Sequence, residues 1–151
     1  YNQLPAIHKL NLSTLKQIDV FHEKGIFEYD DTKRILSEGI NKYGLGVNFH
    51  GDELHCNNSA ELGYELEKEC GGFKNKNVVN CISHLEEISD KGIDLLSQTN
   101  IATVLLPTTC HILKLKAPPY KQLMDSNCIV ALGTDFNPNA HCLSMPYIMN
   151  L

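Results

Sequence analysis

The sequence CIVALGTDFNP, at residues 128–138, decides the fold class. Its first five residues form an apolar run typical of a buried strand, and Asp135 follows just past the end of that run. An unpaired carboxylate beside a buried strand costs free energy. Its presence there therefore indicates either a partner or a function. Two similar junctions lie upstream, where apolar runs lead to His50 and to His84. Three predicted strand ends therefore each present one polar side chain.

The chain alternates apolar runs with helical patterns. Predicted strands begin near residues 18, 45, 78, 101 and 128, and predicted helices begin near residues 30, 59, 89 and 118. This β-α alternation is typical of a parallel sheet covered by helices. A doubly wound nucleotide-binding fold would need a glycine-rich turn after a strand, whereas Gly44-Leu45-Gly46 precedes one. Because the polar residues follow the carboxyl ends of the strands, we predict an α/β fold, part of a TIM (β/α)8 barrel.

The predicted strands are too few for a whole barrel. A complete barrel has eight strands and about 250 residues, whereas this chain has 151 residues and five predicted strands. We therefore expect residues 1–151 to form one partial barrel domain of about five β-α units from the C-terminal half, truncated at both ends. The lack of an initial methionine favours an incomplete sequence over a biological truncation.

Composition excludes several other classes of protein. The net charge is -5 and the lysines are scattered, so no basic surface for nucleic acid is predicted. No apolar stretch approaches the roughly 18 residues that would span a membrane. The six cysteines show no C-x-x-C spacing, and several lie inside apolar runs. We expect them to be reduced thiols, which favours a cytoplasmic protein.

The polar residues at the strand ends indicate a hydrolytic metal site. His50 is followed by Glu53 on a loop with a glycine between them, and Asp135 suits either a metal ligand or a general base. Imidazole and carboxylate ligands suit zinc or iron. A bound divalent ion lowers the pKa of water toward about 7, and a neighbouring carboxyl group such as Glu53 can carry the proton. We also predict a functional role for His84.

Other polar residues have simpler interpretations. Glu86 and Glu87 stand near a predicted helix start, where the helix dipole and solvent explain them. Thr108-Thr109 can face the pocket, and Asn137 and Asn139 can bind a polar ligand or form a turn. We assign surface or loop roles only to a last group: Asp19, Glu23, His55, His111 and His141.

Four motifs, in this order, resemble the imidazolonepropionase family of the metal-dependent amidohydrolase superfamily. They are NFHGDELH at residues 48–55, SHLEEISD at 83–90, LLPTT at 105–109 and ALGTDFNPNAHCLSMP at 131–146. The resemblance runs from about residue 18 to the end of the chain. It implies a TIM-barrel hydrolase of histidine degradation, which opens the ring of 4-imidazolone-5-propanoate with water to give N-formimidoyl-L-glutamate.

The resemblance also implies roles for particular residues. It implies one divalent metal ion, zinc or iron, with His50 and Asp135 as metal ligands. Catalytic roles fall to Glu53, His84 and Asp135, with Asp135 taking a proton from the attacking water and His84 orienting Glu53 or the water. Substrate-binding positions are Glu53, Asn137, Asn139 and Ala140.

The family pattern also contains features that this sequence lacks. Its H-x-H metal pair, and the upstream Arg, Tyr and His that hold the propionate of the substrate, have no counterpart in residues 1–151. We therefore predict that the chain alone is inactive. The resemblance also implies that the full-length protein is a homodimer acting on a small molecule. Three alternatives stay open: another cyclic-amide amidohydrolase, a nucleobase deaminase, or a half-barrel without catalytic activity.

Overall fold

A parallel sheet organises the part of the chain that the computed structural model describes, which is residues 3–10, 14–71 and 77–151. The strands are ordered β1-β3-β4-β5-β6, β2 also pairs with β3, and these pairings are all parallel. The α/β prediction with parallel strands is therefore confirmed. The strands are β1 (Gln17–Ile18), β2 (Phe21–His22), β3 (Gly46–Gly51), β4 (Val79–His84), β5 (Ala102–Leu105) and β6 (Ile129–Leu132).

The first predicted strand, at residues 18–21, is interrupted in the structure. Both halves keep one register against β3, since Gln17 pairs with Gly46 and Phe21 pairs with His50. Between them the backbone carbonyl of Val20 still accepts a hydrogen bond from His50 N. The two short strands therefore act as one barrel position, and the five predicted positions correspond to the six observed strands.

Helices connect the strands. Four of them were predicted, namely α2 (Tyr29–Tyr43), α3 (Ser59–Glu69), α4 (Asp90–Leu96) and α6 (Tyr120–Asp125). Helices α1 (Gln3–Lys9), α5 (Pro107–Leu113) and α7 (Met145–Ile148) were not predicted, although the proline that starts α5 suits a first helical turn. In the described part of the chain, no helix is long and apolar enough to cross a membrane.

The hydrophobic core lies between the sheet and the helices. Burial alternates along β3, so that Val47 and Phe49 face the helices while Asn48 and His50 face the other side. Leu36 of α2 and Leu66 of α3 are fully buried in the same cluster. This alternation fixes which β3 side chains can reach the site. All six cysteines are free thiols, as predicted.

The carboxyl group of Glu67 joins α3 to the start of β4. The side chain is 2% exposed, and its Oε1 accepts hydrogen bonds from Val78 N at 2.8 Å and Val79 N at 2.6 Å. Burial raises the pKa of this carboxyl group, although the two hydrogen bonds oppose the shift. The contact therefore makes stability depend on pH.

Replacement of Glu67 by glutamine should remove this pH dependence. Because the pKa of Glu67 is raised in the folded state, its stabilising contribution is present below the unfolded value near 4.5 and is lost as pH rises through the folded pKa. Glutamine stays neutral and keeps an oxygen for both backbone N–H groups. We expect Glu67→Gln to gain stability relative to the wild type as pH increases, measured by urea unfolding at several pH values. Glu69→Gln, on the exposed side of α3, is the control and should show no such trend.

Candidate active site

The carboxyl edge of the sheet gathers four of the predicted site residues. His50 lies near the end of β3, His84 is the last residue of β4, and Asp135 follows β6. The ring centroids of the two histidines are 5.5 Å apart, and His84 Nε2 lies 3.5 Å from Glu53 Oε2. The negative charges of Asp135 and Glu53 both act on His50. The parallel topology therefore brings together side chains that are distant in sequence.

His50 is held by a carboxylate that we had assigned to a loop role. Its Nδ1 lies 2.9 Å from Asp19 Oδ1, which accepts the ring N–H. This hydrogen bond raises the pKa of His50, against the opposing effect of burial. A carboxylate on Nδ1 orients the ring and leaves Nε2 available, an arrangement common in metal-binding histidines. Asp19 does lie in the exposed segment between β1 and β2, as predicted, but its contact with His50 was not predicted.

Glu53 has the environment of a proton carrier. The residue is 9% exposed, and burial is the main cause of the raised pKa of its carboxyl group. The negative charges of Glu86 and Asp135 raise the pKa further, while His84 lowers it. A raised pKa favours the protonated carboxyl group, the form that can donate a proton.

The loop that carries Glu53 is anchored by Asp52. The Asp52 side chain is fully buried, and its Oδ1 accepts hydrogen bonds from Asn57 N at 2.7 Å and Ser59 Oγ at 2.8 Å. Ser59 N lies 3.2 Å from Oδ2. Burial raises the pKa of Asp52, and these hydrogen bonds oppose the rise. The start of α3 and the loop are thereby tied to the end of β3.

Glu23 also supports the loop that carries Glu53, although we had predicted no contact for this residue. The residue is 1% exposed, and its oxygens accept hydrogen bonds from Leu54 N and from His55 Nδ1, each at 3.0 Å. Glu23 does lie in the loop after β2, as predicted, but its burial and these contacts were not predicted. Its alternation with Asp19 and Phe21 along the first strand was the available signal. His55 itself is exposed, as predicted.

Asp135 is positioned by the first turn of α5. Its Oδ2 accepts a hydrogen bond of 2.5 Å from Thr109 Oγ1, and Thr108 Oγ1 donates to Thr134 O at 3.0 Å. The threonines thus reach the site, which agrees with the expectation that they face the pocket. The pairing holds one carboxylate oxygen and leaves Oδ1 for other partners.

The segment after Asp135 folds into a tight turn. Asn137 Nδ2 donates to Asp135 O at 2.8 Å, and Asn137 Oδ1 accepts from Asn139 N at 2.7 Å and Ala140 N at 3.2 Å. The Asn137 amide is therefore used to shape the turn. Asn139 is exposed and Ala140 is buried. Contact of these three residues with a substrate stays a prediction.

Several residues at the carboxyl edge of the sheet adopt a left-handed backbone conformation. The φ angles are 52° for Asp52, 80° for His84, 66° for Leu85 and 49° for Asp135. Non-glycine residues in this region carry strain, which concentrates at functional sites because the surrounding structure must hold it. His111 and His141 are exposed, and His141 Nδ1 lies 3.4 Å from Asn137 O in the turn after Asp135.

The donor set fits part of a metal centre. Within residues 3–10, 14–71 and 77–151, no group of three or more His, Cys, Asp or Glu side chains is arranged to hold a metal ion. His50 offers an oriented imidazole, and Asp135 offers a carboxylate oxygen not used by Thr109. One nitrogen and one oxygen donor suit zinc or iron, so His50 and Asp135 are candidate ligands for a metal ion.

Comparison with known proteins identifies relatives that match the chain over nearly its whole length. The chain is 48% identical over 153 residues to a probable imidazolonepropionase of Xenopus tropicalis, and the match covers 99% of this chain. Corresponding proteins of Dictyostelium discoideum and Homo sapiens are 52% and 46% identical over 99% of this chain. The chain is thus homologous to one part of proteins named probable imidazolonepropionase. It spans about a third of these relatives, at 33% of each.

Solved structures share the fold of this homologue of probable imidazolonepropionases. A guanine deaminase from C. acetobutylicum superposes with a TM-score of 0.60 at 21% identity, covering 83% of this chain and 31% of the deaminase. An adenosine deaminase from Xanthomonas campestris gives a TM-score of 0.56 at 16% identity, covering 82% and 28%. These similarities support the partial barrel fold. No family model matches the chain.

Proposed function

We propose that this chain carries part of the active site of an imidazolonepropionase. The substrate is 4-imidazolone-5-propanoate, and the product of ring opening by water is N-formimidoyl-L-glutamate. The observation that carries the proposal is the meeting of His50, Glu53, His84 and Asp135 at one sheet edge in a chain about half identical to probable imidazolonepropionases.

His50 and Asp135 would hold one divalent metal ion in the complete protein. When bound, the ion supplies Lewis acidity that polarises the ring carbonyl and makes water more acidic. The bond from His50 Nδ1 to Asp19 supports this role because it directs the other ring nitrogen toward a ligand. The fold relative from Xanthomonas campestris has bound zinc. Zinc or iron suits the donors, and metal analysis of the purified protein distinguishes them.

The proton transfers are assigned to the two carboxyl groups. Asp135 takes a proton from water as the water oxygen bonds to the ring carbonyl carbon. The bond from that carbon to the ring nitrogen then breaks, and Glu53 supplies a proton to the leaving nitrogen. The raised pKa of Glu53 suits it to this donation. His84, 3.5 Å from Glu53, orients its carboxyl group.

Other parts of the proposal concern recognition and assembly. The turn shaped by Asn137 presents Asn139 and Ala140 beside Asp135, and we assign it to substrate binding, with Glu53 contacting the ring. The active protein is a cytoplasmic homodimer in this proposal, with no nucleic-acid or membrane partner.

Turnover by the complete coding sequence from the same source tests the proposal. Purified protein should consume 4-imidazolone-5-propanoate, which is measured as loss of the ultraviolet absorbance of this substrate. It should leave guanine and adenosine unchanged. These two compounds are the comparison substrates because the fold relatives are guanine and adenosine deaminases. Deamination of either compound without ring opening of the imidazolone would refute the assignment, as would folded, metal-loaded protein with no turnover.

A further inference from the structure

One more buried carboxyl group, that of Glu86, lies near the carboxyl edge of the sheet. Glu86 follows β4 by two residues and is 1% exposed, so the solvated role expected from sequence was wrong. Its Oε1 accepts a hydrogen bond of 2.7 Å from the Cys110 thiol of α5. Its Oε2 is buried and has no hydrogen-bond partner among the described residues. One oxygen is therefore anchored and the other is directed elsewhere.

The unpaired oxygen of Glu86 faces the unpaired nitrogen of His84. His84 Nδ1 is also buried without a hydrogen-bond partner among the described residues, and it lies 3.8 Å from Glu86 Oε2. Unpaired buried polar atoms are costly. Hydrogen bonds in active sites are often long until a substrate is bound. A small movement would join these two atoms and remove both unsatisfied groups.

The His84 ring therefore lies between two carboxyl groups. Glu53 Oε2 is 3.5 Å from Nε2 on one side, and Glu86 Oε2 is 3.8 Å from Nδ1 on the other. The His84 backbone has a φ of 80°, so the backbone alone is a strained support for this ring. The hydrogen bond made by one ring nitrogen determines whether the other ring nitrogen carries a proton.

We propose that Glu86 is a positioning residue that orients His84 through Nδ1 and so directs His84 Nε2 at Glu53. The inference rests on the proposed function, because Glu53 is the proton carrier there. Cys110 completes the chain of contacts by holding Glu86 Oε1. Burial, and then the contact with Glu86, raise the pKa of Cys110 well above its usual range, so the thiol keeps its proton and donates it.

Kinetics of Glu86→Gln in the complete protein test the role. Glutamine keeps the size of the side chain but removes the charge that holds the ring N–H. We expect kcat to fall by about 10- to 100-fold, the usual loss when a carboxylate partner of an active-site histidine is removed, with KM unchanged. The matched control is Glu87→Gln, the adjacent partly exposed residue paired with Lys116 at 3.6 Å. It should leave both constants unchanged.

Variants of Cys110 test the same chain of contacts without altering a charge. Cys110→Ser keeps a donor for Glu86 and should retain kcat, whereas Cys110→Ala removes the donor and should lower kcat without raising KM. Equal kcat for the wild type, Glu86→Gln and Cys110→Ala would overturn the proposal. So would a loss of kcat in Glu86→Gln that Glu87→Gln reproduces.

Nitrogen NMR of histidine-labelled protein separates this inference from the proposed function. At one fixed pH, the wild type should carry a proton on His84 Nδ1, and Glu86→Leu should shift the signal of that nitrogen. His84→Gln assigns the signal by removing it. An unchanged Nδ1 signal in Glu86→Leu would refute the positioning role. If the wild type lacked imidazolone turnover, the proposed function would fail, while the Nδ1 signal would still decide the role of Glu86.

Discussion

Asp135→Asn is expected to lower imidazolone turnover by about 10³-fold, since removal of a general acid-base group typically costs 10²- to 10⁴-fold. Asparagine cannot take the proton from water, and it is a weaker metal ligand than a carboxylate. Thr109 Oγ1 can still donate to its amide oxygen, so the turn after β6 should keep its shape. The measurement is the rate of loss of substrate absorbance by wild-type and variant proteins from the complete coding sequence.

The control for this substitution makes the same chemical change on the preceding helix. Asp125→Asn alters an exposed residue at the end of α6 and should leave turnover unchanged. Circular dichroism and metal analysis of both variants show whether folding and metal loading are retained. Equal turnover by the wild type and Asp135→Asn would mean that the metal site and base lie elsewhere.

Asp52→Leu is expected to destabilise the protein by about 3 kcal/mol, because buried hydrogen-bond donors left without a partner cost about 1–3 kcal/mol each. The Asn57 N–H, the Ser59 N–H and the Ser59 hydroxyl all depend on this carboxylate. Loss of the anchor should also loosen the loop that carries Glu53. Urea unfolding measures the stability, and turnover by the variant measures the effect on the loop.

Asp52→Asn is the matched control for the anchor. Its amide oxygen can replace Oδ1, which accepts the hydrogen bonds from Asn57 N and Ser59 Oγ. Burial raises the pKa of Asp52, so the neutral amide of asparagine avoids the cost of burying a charge. We expect Asp52→Asn to retain most of the stability. If Asp52→Asn lost as much as Asp52→Leu, the charge and not the hydrogen-bond geometry would be the stabilising feature.

The strand ends were predictable because they depend on local pattern. An apolar run that ends at a polar side chain gave the ends of β3, β4 and β6, and the β-α rhythm gave parallel pairing. The carboxyl ends of parallel strands meet at one edge, so the approach of His50, His84 and Asp135 follows from topology. The resemblance to a family supplied their separate roles, which stay proposals.

The supporting carboxylates were not predictable from local pattern. Glu86 stands before a helix, where an acidic residue usually faces solvent, yet Cys110 of the unpredicted helix α5 covers it. Asp19 reaches His50 across two strands, and Glu23 reaches the loop after β3. These contacts depend on residues more than 20 positions apart, and periodicity within one segment carries no information about them.

The positive φ angles at the carboxyl edge of the sheet place stability and the proposed activity in conflict. At His84 and Asp135, glycine would adopt the same backbone without the cost of about 1–2 kcal/mol that a side chain carries there. Selection for heat resistance alone would therefore favour glycine at two positions whose side chains the proposed chemistry needs. Thermostable variants are better sought among the packed helices, since gains at this edge would be made by discarding function.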